Sequence, residues 1–155
     1  MKYACELHLL LSGEMLIISY NVIEPNATAD WLSTRMVRLS AEVVDLCLVD
    51  CVKNLLYSKQ VVQPAEIDPK MLCKNIAQFG GFSSAKKLDE HSKSVLLIAD
   101  ENGNMALEVS HYEQNEGFVG NKETPTIYGS LSDDDFIEKI HQAFDLCIGS
   151  LKWEN

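Results

Sequence analysis

The chain has 155 residues, 46% of them hydrophobic and 23% charged, with a formal net charge of −10. That length supports one domain with its own core, and the apolar content excludes a largely disordered chain. No apolar run approaches the roughly 20 residues of a membrane-spanning helix. The acidic balance argues against direct nucleic-acid binding, because phosphate contacts need clustered Lys and Arg.

The segments "YACELHLLL" (3–11) and "MLIISYNV" (15–22) read as two strands joined by a short glycine-bearing break, a hairpin. "EPNATAD" (24–30) reads as a loop. Leu39-Ser40 then opens a helix over about 41–58, because Val44, Leu48, Cys51, Val52, Leu55 and Leu56 recur at helical spacing. "VVQPAEIDP" is a connection, and Pro69 suits the first turn of a short helix that stops at Gly80-Gly81. A polar stretch, "SSAKKLDEHSK", reads as another short helix.

A second hairpin follows at 94–112, with apolar strands flanking Asn102-Gly103, a pair suited to a type I′ turn with positive φ at both central residues. In "MALEVSHY" the alternation puts Ala106, Glu108, Ser110 and Tyr112 on one face. "EGFVGNKETPT" reads as a glycine-bearing loop, "TIYGSL" as a short strand, and the last helix covers about 133–150. At an offset of 92, Val44, Leu48, Cys51, Val52, Leu55 and Leu56 match Phe136, Ile140, Ala143, Phe144, Cys147 and Ile148. The expected architecture is therefore one α+β domain over residues 1–155, with antiparallel hairpins packed against amphipathic helices and an internal pseudo-duplication.

Charge is unevenly spread. Residues 1–99 hold 11 acidic and 10 basic side chains, whereas residues 100–155 hold 12 acidic and three basic, a net of −9. A basic partner would be steered toward the second half. Three consecutive aspartates, Asp133 to Asp135, precede the last apolar stripe. Ser132 is placed to cap that helix, with Asp135 reaching back in a capping box and Asp133 and Asp134 favoured by the helix dipole. On this reading the aspartates hold no metal, since neighbours on one turn fan outward instead of converging. Asp133 and Asp134 still offer negative charge to a partner, as do Glu113 and Glu116. Tyr112, Phe118, Tyr128 and Trp31 lie beside polar or glycine-rich stretches, and exposed aromatics among acids suit protein recognition.

Five cysteines, an odd number with irregular spacing, fit a reducing cytoplasm better than a disulfide framework. Cys47 and Cys51 lie one helical turn apart without the paired spacing of a zinc site, and read as buried thiols. No nucleophile elbow or glycine-rich phosphate loop accompanies the four histidines. These residues point to a binding protein, with no catalytic residue, cofactor or metal expected. Two alternatives stay open: an acidic adaptor of another kind, and a small enzyme using a cysteine and a histidine that meet only in the fold.

The stretch "GFSSAKKLDEHSKSVLLIADENGNMALEVSHYEQNEGFVG", followed by "SDDDFIEKIHQAFDLC", resembles the contact-dependent growth inhibition immunity proteins of bacteria, the CdiI class. Four features in order carry the resemblance over residues 80–150: a Gly-aromatic-Ser segment with lysines, a hairpin, the loop Gly117-Phe118-Val119-Gly120, and an acid-capped helix containing Ala143-Phe144 and Cys147. "LEVSHY" departs from the pattern in having no proline, which leaves the type of toxin open. The resemblance implies a cytoplasmic protein that binds the C-terminal domain of a cognate toxin, commonly a basic nuclease, and blocks it. The expected partner-binding residues are Asp133, Asp134, Glu113, Glu116, Tyr112 and Phe118.

Overall fold

The computed structural model describes residues 3–23, 28–58, 61–62, 68–120, 126–150 and 152–153. The first half runs β1 (Tyr3–Leu10), β2 (Met15–Ile23), β3 (Thr28–Leu39), α1 (Val44–Tyr57), β4 (Val61–Val62), α2 (Pro69–Phe79) and α3 (Ala85–Glu90). The second half runs β5 (Ser92–Ala99), β6 (Asn104–Glu113), β7 (Gly117–Gly120), β8 (Ile127–Ser130) and α4 (Phe136–Leu146). The sheet order is β3-β2-β1-β5-β6-β7, antiparallel throughout, with the two-residue β4 added parallel to β2. β8 and β7 divide the outer edge of β6, β8 along Asn104–Leu107 and β7 along Ser110–Glu113.

Alternation along the strands sends each residue set to one side. On the first face Cys5, Leu7, Met15, Ile17, Val95, Leu97, Met105 and Leu107 are buried beneath α1 and α4, which contribute Leu48, Val52, Phe136, Ile140 and Phe144. On the second face Leu10, Leu16 and Ile18 are buried beneath α2 and α3 through Ile76, Ala77 and Leu88. Here Asp68 caps α2 by accepting the Met71 amide, with Pro69 in the first turn, and Ser84 caps α3 by accepting the Lys87 amide. Arg38 ties this cover to the first hairpin, donating to Glu14 at 2.7 Å and to the Phe79 carbonyl, the last of α2, at 3.1 Å.

The halves are laid out alike. β1 and β5 pair antiparallel at the centre, with Glu6 opposite Leu96, and each carries its hairpin partner outward. β7 and β8 together stand where β3 stands in the first half, and α1 and α4 lie on the same face. The offset of 92 holds from Val44/Phe136 to Leu55/Cys147, all in or against the main core. It fails at Leu56/Ile148, because α4 ends at Leu146 and Ile148 is 51% exposed.

Several expected elements shift. Residues 28–39 form the 12-residue strand β3, where 28–30 are expected as loop, 31–38 carry no expected element and Leu39 is expected to open a helix; residues 24–27 of that loop lie outside the described residues. Register shifts between Ile18 and Tyr20 and between Asn21 and Val22 break the two-residue alternation by which a strand is recognised. Leu39 therefore ends a strand, and α1 begins at Val44. The Asn102-Gly103 turn is not type I′: only Gly103 has positive φ, and its amide donates to the Asp100 carbonyl at 3.2 Å. The first hairpin turns the same way, with Gly13 at φ +89° donating to the Leu10 carbonyl at 2.9 Å. Finally, 117–120 of the expected loop form β7, entered through Asn115 and Gly117 at positive φ, while 121–125 lie outside the described residues.

Candidate interaction surface

α2 and α3 cover the second face along β3 and β2, and α3 reaches the start of β5 and the edge of β7; among the described residues no helix covers the rest. Where their cover stops, β1 contributes Glu6 and His8, which alternation places on this same side. His8 is 3% exposed, its Nε2 lies 2.5 Å from Glu6 Oε1, and its Nδ1 lies 3.3 Å from Ser92 Oγ. Tyr20 donates its hydroxyl to Glu6 Oε2 at 3.2 Å. Burial by itself would raise the Glu6 pKa, but the His8 charge and the hydrogen bonds from His8 and Tyr20 outweigh it, and the pKa is lowered. Burial likewise opposes charge on His8, and Glu6 outweighs it, so that pKa is raised. The two groups form an ion pair in which the histidine is buried and the glutamate half-buried.

Ser92, His8 and Glu6 stand in the order of a hydrolase triad. Ser92 has no exposed surface, so its hydroxyl has no open path to a substrate. The relay ties β1 to the start of β5.

Phe118 roofs this cluster. Its ring meets His8 edge-on at 6.1 Å and Tyr112 edge-on at 5.9 Å. Beside it Gly117 sits at φ +77°, and a Cβ there would come within 2.9 Å of Asp89 Oδ2. Only glycine satisfies both conditions, so the hairpin lies directly on the Asp89 carboxylate. Burial pushes the Asp89 pKa up to about 6; His8 pulls it down and Glu6 adds to the rise.

From this base the β6–β7 turn presents its acids outward. Glu113 is 47% exposed, accepts from His111 at 2.9 Å, and has its pKa lowered by that bond and by Glu116. The Tyr112 amide donates to the Ile148 carbonyl at 2.7 Å, which pins the chain after α4 against β6. A cleft lies on each side of the Tyr112 ring. One is about 420 Å³ and lined by Glu90, Ile148 and Lys152; the other is about 240 Å³ and lined by Lys86, Asp89 and Glu116.

The structure thus brings Tyr112, Phe118, Glu113 and Glu116 together and leaves Asp133 and Asp134 apart. Ser130, next to the aspartates, pairs with Asn104 at the far end of β6, eight residues from Tyr112. At ~3.3 Å per residue that separates the two groups by roughly 26 Å. The capping box is also corrected. Asp135 occupies the cap position of α4 without a side-chain cap bond, and the Ser132 hydroxyl meets Ser130 Oγ at 3.0 Å instead. Asp133 makes the local contacts: its Oδ2 accepts from the Ser130 amide and from Lys139, both at 2.8 Å. Asp135 lies 3.3 Å from the same lysine, and Asp134 is exposed.

Cys5 and Cys147 are buried thiols whose pKa values burial pushes up to about 12 and about 11. Cys47 and Cys51, expected to be buried, are only half-buried on the flank of α1, and Cys73 is exposed. Tyr128 is 73% exposed, while the Trp31 side chain lies outside the described residues. Sequence reasoning missed Glu6, His8 and Asp89. A signal existed for the first two: in "ELHLL" two polar residues two apart share one face of an otherwise apolar strand.

No family model matches this chain, and no curated protein matches it. It is similar in structure to a protein of unknown function from Neisseria meningitidis, with a TM-score of 0.70 at 12% identity over 95% of this chain and 96% of that one. Likeness at that identity speaks to the fold alone, and the shared fold is α+β.

Proposed function

We propose that this is a non-catalytic immunity protein, which binds the C-terminal domain of a cognate toxin through an acidic surface and blocks it in the cytoplasm. One observation carries the reading. At the β6–β7 end, Tyr112 and Phe118, two aromatic rings in edge-to-face contact on one face of a hydrogen-bonded hairpin, stand beside Glu116, while Glu113 projects from the opposite face beside His111. Rigid aromatic anchors with charges at the rim are the usual make-up of a protein-binding hot spot. A nuclease, whose active face is basic because it handles phosphate, is the complementary partner for a half-chain with a net charge of −9. The order of motifs resembling the CdiI class supplies the toxin. No helix among the described residues is long and apolar enough to cross a membrane, which fits this reading.

The test is binding and inhibition with the C-terminal domain encoded by the gene immediately upstream. Stoichiometric binding that abolishes the domain's nuclease activity supports the proposal. An upstream gene without such a domain, or a domain that stays fully active in a saturating excess of this protein, refutes it. An acidic adaptor of another kind would bind a basic protein without protecting cells from a toxin.

A further inference from the structure

We propose that the bare part of the second sheet face is a second docking surface for a basic partner protein, centred on a seat for one arginine or lysine side chain between Glu6 and Glu108. The partner's class rests on the toxin-binding reading; the seat rests on the sheet itself. In the strand register Leu96 pairs with Glu6 on one side and with Glu108 on the other. The three therefore lie in one row on one face, the two carboxylate-bearing positions about 10 Å apart across two strand spacings. Leu96 is half-buried and forms an apolar floor between them. Phe118 stands at the side, and the groove so formed is about 190 Å³.

That volume is below the roughly 300–1,000 Å³ of small-molecule pockets, and it suits a single side chain. An arginine or lysine stem can lie along Leu96 and Phe118 while its head pairs with Glu108 and sits beside Glu6, whose oxygens His8 and Tyr20 already hold, and a guanidinium gains further from the aromatic ring. Among the described residues no lysine or arginine lines the groove. Glu6 is already committed to His8 and Tyr20, so its position is fixed. Glu108 is exposed and makes no hydrogen bond or ion pair among the described residues.

The next row along the strands is apolar. Tyr128, Ala106, Ile98 and Ala4 are paired in sequence across β8, β6, β5 and β1. Tyr128 is 73% exposed, and Ala106 and Ile98 are half-buried. A basic side chain beside an apolar strip describes an amphipathic element of a basic protein. A second copy of this chain in a two-fold contact would set Glu6 and Glu108 against their own equivalents, and an anionic membrane or a nucleic acid would be repelled.

The direct test follows amide shifts of the ¹⁵N-labelled protein on adding an eight-residue peptide that alternates arginine and valine, with a glutamate-valine peptide as comparison. The expected result is saturable shifts at Leu96, Glu108, Ser110 and Gly120, at least fivefold weaker binding by Glu108→Gln, and wild-type binding by Asp50→Asn, an exposed position on α1, which covers the opposite face. Shifts spread over the whole acidic surface, unchanged binding by Glu108→Gln, or no binding would overturn the proposal. A second arm uses Glu108→Arg, on an exposed position, against the upstream-encoded domain. At least tenfold weaker binding than wild type supports the seat, and equal binding overturns it while leaving the immunity function standing. If that domain binds neither form, the function falls and the peptide arm alone decides the docking surface.

Discussion

Glu6 and His8, two residues apart on β1, form an ion pair at 2.5 Å with His8 only 3% exposed, on a sheet whose opposite face is the hydrophobic core. The pair carries a pH signature. Glu6 has its pKa lowered from 4.5, so its contribution to stability is present above pH 4.5 and lost as pH falls through the folded value. His8 has its pKa raised from 6.5, so its contribution is fully present below pH 6.5 and lost as pH rises through the folded value. The pair should contribute most between pH 4.5 and 6.5. Denaturant unfolding of wild type and of Glu6→Gln across pH 4–8 should show the largest gap in that window; a constant gap would mean that the pair is not ionised.

Asp89 works in the opposite sense to an ordinary paired carboxylate. Its pKa is raised from 3.8 to about 6, so the folded state holds its proton more tightly, and stability falls as pH climbs between those values. That gap is worth at most about 3 kcal/mol, and partial exposure reduces it. Asp89→Asn should therefore stabilise the protein by about 1–2 kcal/mol at pH 7.5 and by almost nothing at pH 4. Thermal melts at the two pH values decide it, and a variant less stable at pH 7.5 would refute the argument.

Phe144 is 2% exposed between α4 and the first face. Truncating it to alanine removes a buried ring and leaves a cavity, so Phe144→Ala should lose about 3–5 kcal/mol in urea unfolding. A loss below 1 kcal/mol would mean that α4 does not seal the core.

The two main hairpins share a turn but not its surroundings. Gly103 sits at φ +84°, and a Cβ added there would have its nearest neighbour, the Leu131 Cβ, at 3.8 Å. Alanine at 103 therefore meets backbone strain alone, about 1–2 kcal/mol. Gly13 sits at φ +89° with the Ala41 Cβ at 3.1 Å, so alanine meets strain and crowding together. Gly13→Ala should be the more destabilising in chemical unfolding; the reverse order would contradict the packing of 41–43 on the first turn.

For the proposed partner, long-range attraction should dominate the rate of association. Raising salt shortens the Debye length from about 30 Å at 0.01 M to about 3 Å at 1 M, so the on-rate should fall steeply. Neutralising Glu113, Glu116 and Asp134 together should lower the on-rate in low salt with a smaller change in off-rate. Asp133 belongs in a separate variant, because it holds the Ser130 amide and Lys139. Asp133→Asn should lower the melting temperature. If the triple variant associates at the wild-type rate in stopped-flow measurements, charge steering by these residues is excluded, and pairing at a sheet edge becomes the better account.

Local pattern determined a good part of this protein. Alternating apolar residues around Gly13 and Gly103 specify the two hairpins, and the stripes from Val44 to Leu56 and from Phe136 to Phe144 specify the two helices that fill the main core. Both are signals of period two or 3.6 read within one segment. The same alternation put Ala106, Glu108, Ser110 and Tyr112 on one face. Other features depend on contacts between distant segments. β3 does not read as a strand, because its bulges break the period and only pairing with β2 defines it. Asp135 makes no capping bond and Asp133 takes the local contacts, because Lys139 and the Ser130 amide converge on Asp133. Glu6, His8 and Asp89 form one cluster because β1 and α3, about 80 residues apart, meet under a glycine at 117 that leaves room for a carboxylate. A one-dimensional period cannot encode which part of a sheet the helices leave open, and among the described residues that part carries Glu6, Glu108, Tyr112, Phe118 and Tyr128.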